Sequence, residues 1–191
     1  MIQFIDIMKY KELFRAFLKN SKQVGSIAPS SRFLAEKMAR NIKSDARCIV
    51  ELGPGTGAIT KEIMKRLPEN AALFLFEMDA DLVLKLKQDI TDPRVHIIHA
   101  GAQEMRAYLA DDGFEYADNI ISSIPLTALK EDVLSGLLKT IHETLKTAGG
   151  IYTQYQYSKL RLKNIKKFFK EVDVRLELRN IPPAFIYTCS K

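Results

Sequence analysis

With 191 residues, the chain is long enough for one domain with a sizeable core, and 47% hydrophobic and 27% charged residues are ordinary for a soluble globular protein. No apolar run approaches the roughly 18 residues of a membrane span. Asp6, Lys9, Lys11 and Glu12 break up any secretory pattern, and two cysteines with three histidines argue against a structural zinc site. The net charge of +6 points to an anionic partner surface, either nucleic acid or lipid.

Residues 1–20 have helical spacing. Tyr10, Leu13, Phe14, Phe17 and Leu18 share one side, and Lys9, Lys11, Glu12, Arg15 and Lys19 the other. Such a helix suits a membrane interface, or a lid packed on the domain. The Val24–Ser31 segment follows, with Gly25 and Pro29 breaking the helix and a position from which it can close over a ligand. Ser30 or Ser31 can cap the next helix, predicted to reach about Arg40 with Phe33, Leu34, Ala35 and Met38 inward.

The central part alternates. Strands are predicted at 47–52, 72–77, 95–98, 118–123 and 149–155, and helices at 57–67, 80–90, 102–110 and 128–146, with Gly149-Gly150 ending the last helix. Alternation of this kind gives parallel βαβ units with helices on both faces. Residues 158–170 carry Lys159, Arg161, Lys163, Lys166, Lys167 and Lys170 and no acid. Predicted strands at 172–178 and 184–189, joined by Asn180-Ile181-Pro182-Pro183, make an antiparallel hairpin at the sheet edge. Cys48 and Cys189 fall inside strands and read as buried thiols, which fits a reducing cytoplasm.

The chemistry centres on Glu51-Leu52-Gly53-Pro54-Gly55-Thr56-Gly57. Glycines let the backbone turn sharply and approach a ligand closely, and the helix that follows presents free N–H groups. Glu77 ends the second strand, where an acidic group accepts hydrogen bonds from ribose hydroxyls. Asp79 reads better as a helix cap. The spacing is G-x-G-x-G, not the dinucleotide G-x-G-x-x-G, and no Lys-Ser or Lys-Thr follows. A carboxylate at Glu51 repels phosphate and attracts an ammonium. That combination favours S-adenosylmethionine over a dinucleotide.

These motifs, with Glu77 inside Phe76-Glu77-Met78-Asp79, resemble the class I S-adenosylmethionine-dependent methyltransferases. The similarity is strongest to bacterial phospholipid N-methyltransferases and extends to ribosomal RNA adenine dimethyltransferases. Val24–Ser31, Ser122-Ser123-Ile124-Pro125-Leu126 and Pro182-Pro183-Ala184 resemble segments of the phospholipid branch. The resemblance implies a single Rossmann-like α/β domain with a mostly parallel seven-stranded sheet, a C-terminal antiparallel hairpin and added N-terminal helices. Its parts are an amphipathic helix at 1–22, a loop and capping helix at 23–46 and a catalytic core at 47–191.

It further implies that Glu51, Gly53, Gly55 and Gly57 hold the methionine end of the donor, that Glu77 binds ribose, and that Ala102 and Gln103 contact adenine. Many relatives carry an Asp at the position of Gly101. Ser123, beside Ser122, and Tyr157 are the candidate catalytic residues near the methyl-transfer point. Gln154 and Tyr155 lie at the same end of the fifth strand, and surface packing is an equal reading of Tyr157. His96 and His99 read as structural.

The RNA branch places Asn-Leu-Pro-Tyr or Asn-Leu-Pro-Phe after strand four, where this chain has Ser123-Ile124-Pro125-Leu126. It also usually has an extra C-terminal helical domain, for which about 35 residues after the fifth strand are too few. The implied activity is methylation of phosphatidylethanolamine by a monomer without a metal, cytoplasmic and peripheral at the inner face of an anionic membrane. RNA is the alternative partner. Each Lys or Arg near such a membrane adds about 1 kcal/mol of attraction.

Overall fold

The computed structural model describes residues 31–191. The helix predicted for residues 1–20, and the Val24–Ser31 segment apart from Ser31, lie outside the described residues. Seven strands form one sheet: β1 (Cys48–Leu52), β2 (Ala72–Glu77), β3 (Val95–His99), β4 (Asn119–Ser122), β5 (Ile151–Gln156), β6 (Glu171–Glu177) and β7 (Ala184–Ser190). Their order is β3-β2-β1-β4-β5-β7-β6. The first five are parallel, and β7 runs antiparallel between β5 and β6.

The helices among the described residues are α1 (Arg32–Ala39), α2 (Ala58–Met64), α3 (Ala80–Asp89), α4 (Met105–Asp111), α5 (Glu131–Thr144) and α6 (Leu162–Lys166). Every residue of β1 is buried, as a central strand covered on both faces requires. Val50, Leu52, Phe74 and Phe76 face the layer of α4 and α5, whereas Ile49, Leu73, Leu75 and Ile121 face α1 and α2. No helix among the described residues is long and apolar enough to cross a membrane.

Two expectations are corrected. Phe33 does not turn inward but stays 41% exposed. Leu34, Ala35, Met38 and Ala39 fill the inner stripe of α1, and Phe33 on its flank is covered instead by the Arg179 guanidinium, 4.1 Å from the ring centroid. Of the two candidate caps, the described Ser31 fills the role, its Oγ accepting from the Leu34 amide at 3.2 Å. The second correction concerns Gly149-Gly150, which does not end α5. That helix stops at Thr144, because Leu145 is extended and bridges to Ala117. The glycines form the following turn, where a Cβ on Gly150 would sit 2.4 Å from the Lys146 carbonyl oxygen.

Asp118 joins these parts. Its Oδ2 accepts from the amides of Arg47 and Cys48 at 2.8 and 3.1 Å, and its Oδ1 from Lys146 Nζ at 3.0 Å. The entries to β1 and β4 and the exit from α5 are thus held at one carboxylate. Burial alone raises its pKa, but these donors together leave it below the ordinary carboxylate value. A depressed folded pKa gives stability that is complete above the unfolded value of about 4 and is lost as pH falls through the folded one. Asp118→Asn should therefore cost about 1–3 kcal/mol at neutral pH, by urea unfolding, and the penalty should shrink as the pH is lowered below 4.

Candidate active site

The cleft forms where the sheet order reverses, between β1 and β4 at the carboxyl ends of the strands, because connections leave there in opposite directions. Gly53, Gly55 and Gly57 all adopt positive φ, at 70°, 58° and 80°. Side chains are strained in that region, and at Gly57 a Cβ would also come within 3.2 Å of Leu86. The Gly53 amide donates to the Phe76 carbonyl at 2.9 Å, tying the turn to β2. The chain then enters α2.

Glu77 braces this turn. It is 1% exposed. Its Oε2 accepts from the Gly55 amide at 3.1 Å, and its Oε1 from the amides of Met78 and Asp79 at 2.7 and 3.0 Å. A carboxylate has about four acceptor places, so three backbone donors leave roughly one for a ligand hydroxyl. Burial still holds its pKa above the ordinary value, only partly countered by those amides. Asp79 caps α3, accepting from the amides of Asp81 and Leu82.

Glu51 lies on β1 with no exposure. Its Oε2 accepts from the Thr60 hydroxyl at 2.7 Å, while Oε1 is buried without a hydrogen-bond partner among the described residues. Burial pushes its pKa up to about 8, with the nearby Glu77 charge adding to the rise. An unpaired buried oxygen of this kind costs about 1–3 kcal/mol. It matches the ammonium expected at this position.

Gly53, Glu77, Met78, Ala102, Gln103 and Ile124 line a cleft at the strand ends. Phe76, Ala100, Leu129 and Leu137 make its surface largely apolar, as a nucleoside base requires. Thus Gly53, Glu77, Ala102 and Gln103, predicted as donor contacts, share this cleft. Glu51, Gly55 and Gly57 belong to the strand and turn beside it. Gly101 leaves space that Gln103 uses: its Oε1 lies 2.8 Å from where a Cβ on Gly101 would be. His99 sits nearby, with Nε2 3.1 Å from the Met78 carbonyl oxygen. His96 stacks on Phe74 with ring centroids 4.6 Å apart.

Ser123 and Tyr157 are not among the described residues that line this cleft. The Ser123 amide donates to the Leu52 carbonyl at 2.9 Å, holding the loop after β4 against β1. The Tyr157 ring meets that of Tyr155 edge-on at 5.8 Å, in the layer of α1. Burial raises its pKa, against hydrogen bonds with Asn180 and Tyr155. At neutral pH it is therefore a neutral phenol.

A feature absent from the sequence reading is a double clamp. Gln154 and Gln156 both donate to the Ile124 carbonyl, at 3.1 and 2.9 Å, and both to the Tyr155 carbonyl, at 2.7 Å. The Gln154 amide oxygen accepts from the Tyr152 hydroxyl at 2.7 Å. Only the alternation of Tyr152, Gln154 and Gln156 on β5 signals this, as a polar stripe facing the layer of Tyr152.

The raised Glu51 pKa carries a stability signature. The folded protein keeps a proton that the unfolded chain releases above the ordinary value, so stability is full below that value and falls as pH rises toward 8. Relative to Glu51→Gln, the parent should lose on the order of 1 kcal/mol per pH unit between pH 5 and 8, by chemical denaturation without ligand. A constant difference across that range would contradict the assignment.

Comparison with known proteins places this geometry. The family described as ribosomal RNA adenine dimethylase matches residues 9–159. The ornithine lipid N-methyltransferase of Singulisphaera acidiphila (strain ATCC BAA-1392 / DSM 18658 / VKM B-2454 / MOB10) is 29% identical over 175 residues, 91% of each chain. The ribosomal RNA small subunit methyltransferase A of Mycoplasma capricolum subsp. capricolum is 35% identical over 78 residues, 40% of this chain and only 28% of that protein. Among solved structures, Burkholderia thailandensis 1,6-didemethyltoxoflavin-N1-methyltransferase, with bound 1,6-didemethyltoxoflavin and S-adenosylhomocysteine, aligns with a TM-score of 0.68 at 15% identity. That alignment covers 96% of this chain and 89% of the other. With the family match running through the glycine turn, Glu77 and the loop after β4, the chain belongs to the ribosomal RNA adenine dimethylase family of class I S-adenosylmethionine-dependent methyltransferases.

Proposed function

We propose that the protein N-methylates the amine of phosphatidylethanolamine headgroups at an anionic membrane surface. The observation that carries this reading is the loop after β4. Adenine chemistry needs a ring to stack on the base and a free polar group for its amine. Here Leu126 has no exposure and sits in the core, and the Ile124 carbonyl is taken by two glutamine amides. Similarity over 91% of each chain to a lipid N-methyltransferase supports the same reading, as does the acid-free basic segment 158–170.

The donor supplies an electrophilic sulfonium methyl. Glu51 Oε1 fits its ammonium, Glu77 its ribose, and Ala102 and Gln103 its adenine. On the acceptor side, an ethanolamine ammonium near the lysine reference of about 10.4 must lose a proton before it can attack. The residues present favour desolvation over a dedicated base, since Tyr157 stays neutral. Ser123 and Tyr157 serve as positioning groups, and holding the amine in line with the donor supplies much of the acceleration.

The test is methyl-labelled S-adenosylmethionine offered with phosphatidylethanolamine vesicles, ornithine-lipid vesicles or small-subunit ribosomal RNA. Label is expected in phosphatidylethanolamine. Label confined to ornithine lipid would keep lipid N-methylation and overturn the headgroup, and label only in RNA would overturn the reading altogether.

Donor binding should also move a proton. Glu51 holds one at neutral pH and must release it to pair with an ammonium, so binding of S-adenosylhomocysteine at pH 7 should expel up to about one proton. Calorimetry in buffers of different ionisation enthalpy reads this directly. Glu51→Gln should abolish the release and weaken binding roughly tenfold or more, and Glu77→Ala should weaken binding while keeping the release.

A further inference from the structure

The turn between β6 and β7 inverts the usual burial pattern. Glu177 and Asn180 are each 2% exposed, whereas Leu178 and Ile181 are 69% and 77% exposed. Isolated exposed aliphatics are unremarkable, but polar residues turned inward beside apolar ones turned outward form an informative arrangement. Asn180 Oδ1 accepts from the Ser31 amide at 2.9 Å, and its Nδ2 donates to the Pro182 carbonyl at 2.7 Å. Glu177 pairs with Lys37 at 2.7 Å and with Arg179 at 3.1 Å. With these groups anchored on the protein, Leu178 and Ile181 are held in solvent.

The position of this turn is set by topology. β6 and β5 are each antiparallel to β7 and so run the same way. The turn after β6 therefore stands at the carboxyl rim of the sheet, the end at which the donor cleft opens. Leu160, 78% exposed, follows β5 past the same rim. Lys159 Nζ lies 4.9 Å from the ring centroid of Phe185, near the start of β7, which keeps that segment beside the turn. Residues 158–170 add six cations and no acid, and the turn adds Arg179.

We propose that Leu160, Leu178 and Ile181 form an apolar lip that enters an anionic lipid bilayer, with the adjoining lysines at headgroup level, so that the mouth of the cleft is held against the membrane. Arg161 and Arg179 are paired with Glu131 and Glu177, so the charge beside the apolar side chains comes from the five lysines of 158–170, and the combination matches a surface that is negative outside and hydrocarbon within. This rests on the lipid reading for its purpose. Its test does not, because the vesicles used carry no amine to methylate by that reaction.

The full chain is mixed with vesicles of phosphatidylglycerol and phosphatidylcholine and sedimented. The Leu160→Ser, Leu178→Ser, Ile181→Ser triple variant should partition about tenfold more weakly than the parent, with unchanged thermal midpoint and unchanged S-adenosylhomocysteine binding. The sequence contains no tryptophan. Ile181→Trp therefore gives a sole reporter, expected to shift its emission to the blue on those vesicles and to be quenched by brominated lipid. Partitioning within twofold of the parent, or a tryptophan emission indifferent to vesicles, overturns the proposal. So does a fall in thermal midpoint or a dimer-to-monomer change in the triple variant, which would mean that protein, not lipid, covers the lip.

Discussion

The path of the backbone from β1 into α2 is the constraint on which the site depends. Three glycines at positive φ fold that connection tightly over the strand ends. The turn binds the Gly53 amide to β2 and the Gly55 amide to Glu77, so two neighbouring strands share one loop. Glu51 beneath the turn and Glu77 beside it are both withdrawn from water. Charge in such a place is unfavourable unless a cation or donors meet it. Glu77 meets three amides, and Glu51 meets one hydroxyl. The asymmetry separates their tasks: one carboxylate holds the protein together at the turn, and the other retains an oxygen for something not supplied by the described residues.

The acceptor side is built on a different principle. Among the described residues that line the cleft there is no histidine, and the carboxylate of Glu77 is held by three backbone amides. Instead, β5 sends two glutamines across to a single carbonyl of the β4 loop, and the Ser123 amide ties the same loop to β1. Backbone held from both sides loses little entropy on binding, which suits a transfer that needs alignment more than proton transfer chemistry.

What was legible in the sequence follows from how local each signal is. β1 and β2 show as apolar runs because strands covered on both faces need them, and Glu77 shows because it ends such a run. The hairpin shows through its alternation and its prolines. Long-range contacts leave no such trace. Leu137 reads as one more core residue of α5, yet it lines the cleft. Phe33 has core chemistry, but its place on the flank of α1 depends on Arg179, far along the chain. Gly149-Gly150 resembles a helix stop, but the α5 boundary is set earlier, where Leu145 pairs with Ala117. The glutamine clamp shows only as an alternation on β5, because an amide on a strand has many possible partners and only the fold selects among them.

The two thiols have a consequence of another kind. Cys48 and Cys189 are free and buried, and burial drives both pKa values upward, that of Cys189 to about 12. Oxidants and disulfide exchange act on thiolates that solvent can reach, so neither sulfur offers a point of attack. The fold is thus indifferent to the redox poise around it, and its cysteines testify to packing rather than to the compartment in which the protein works.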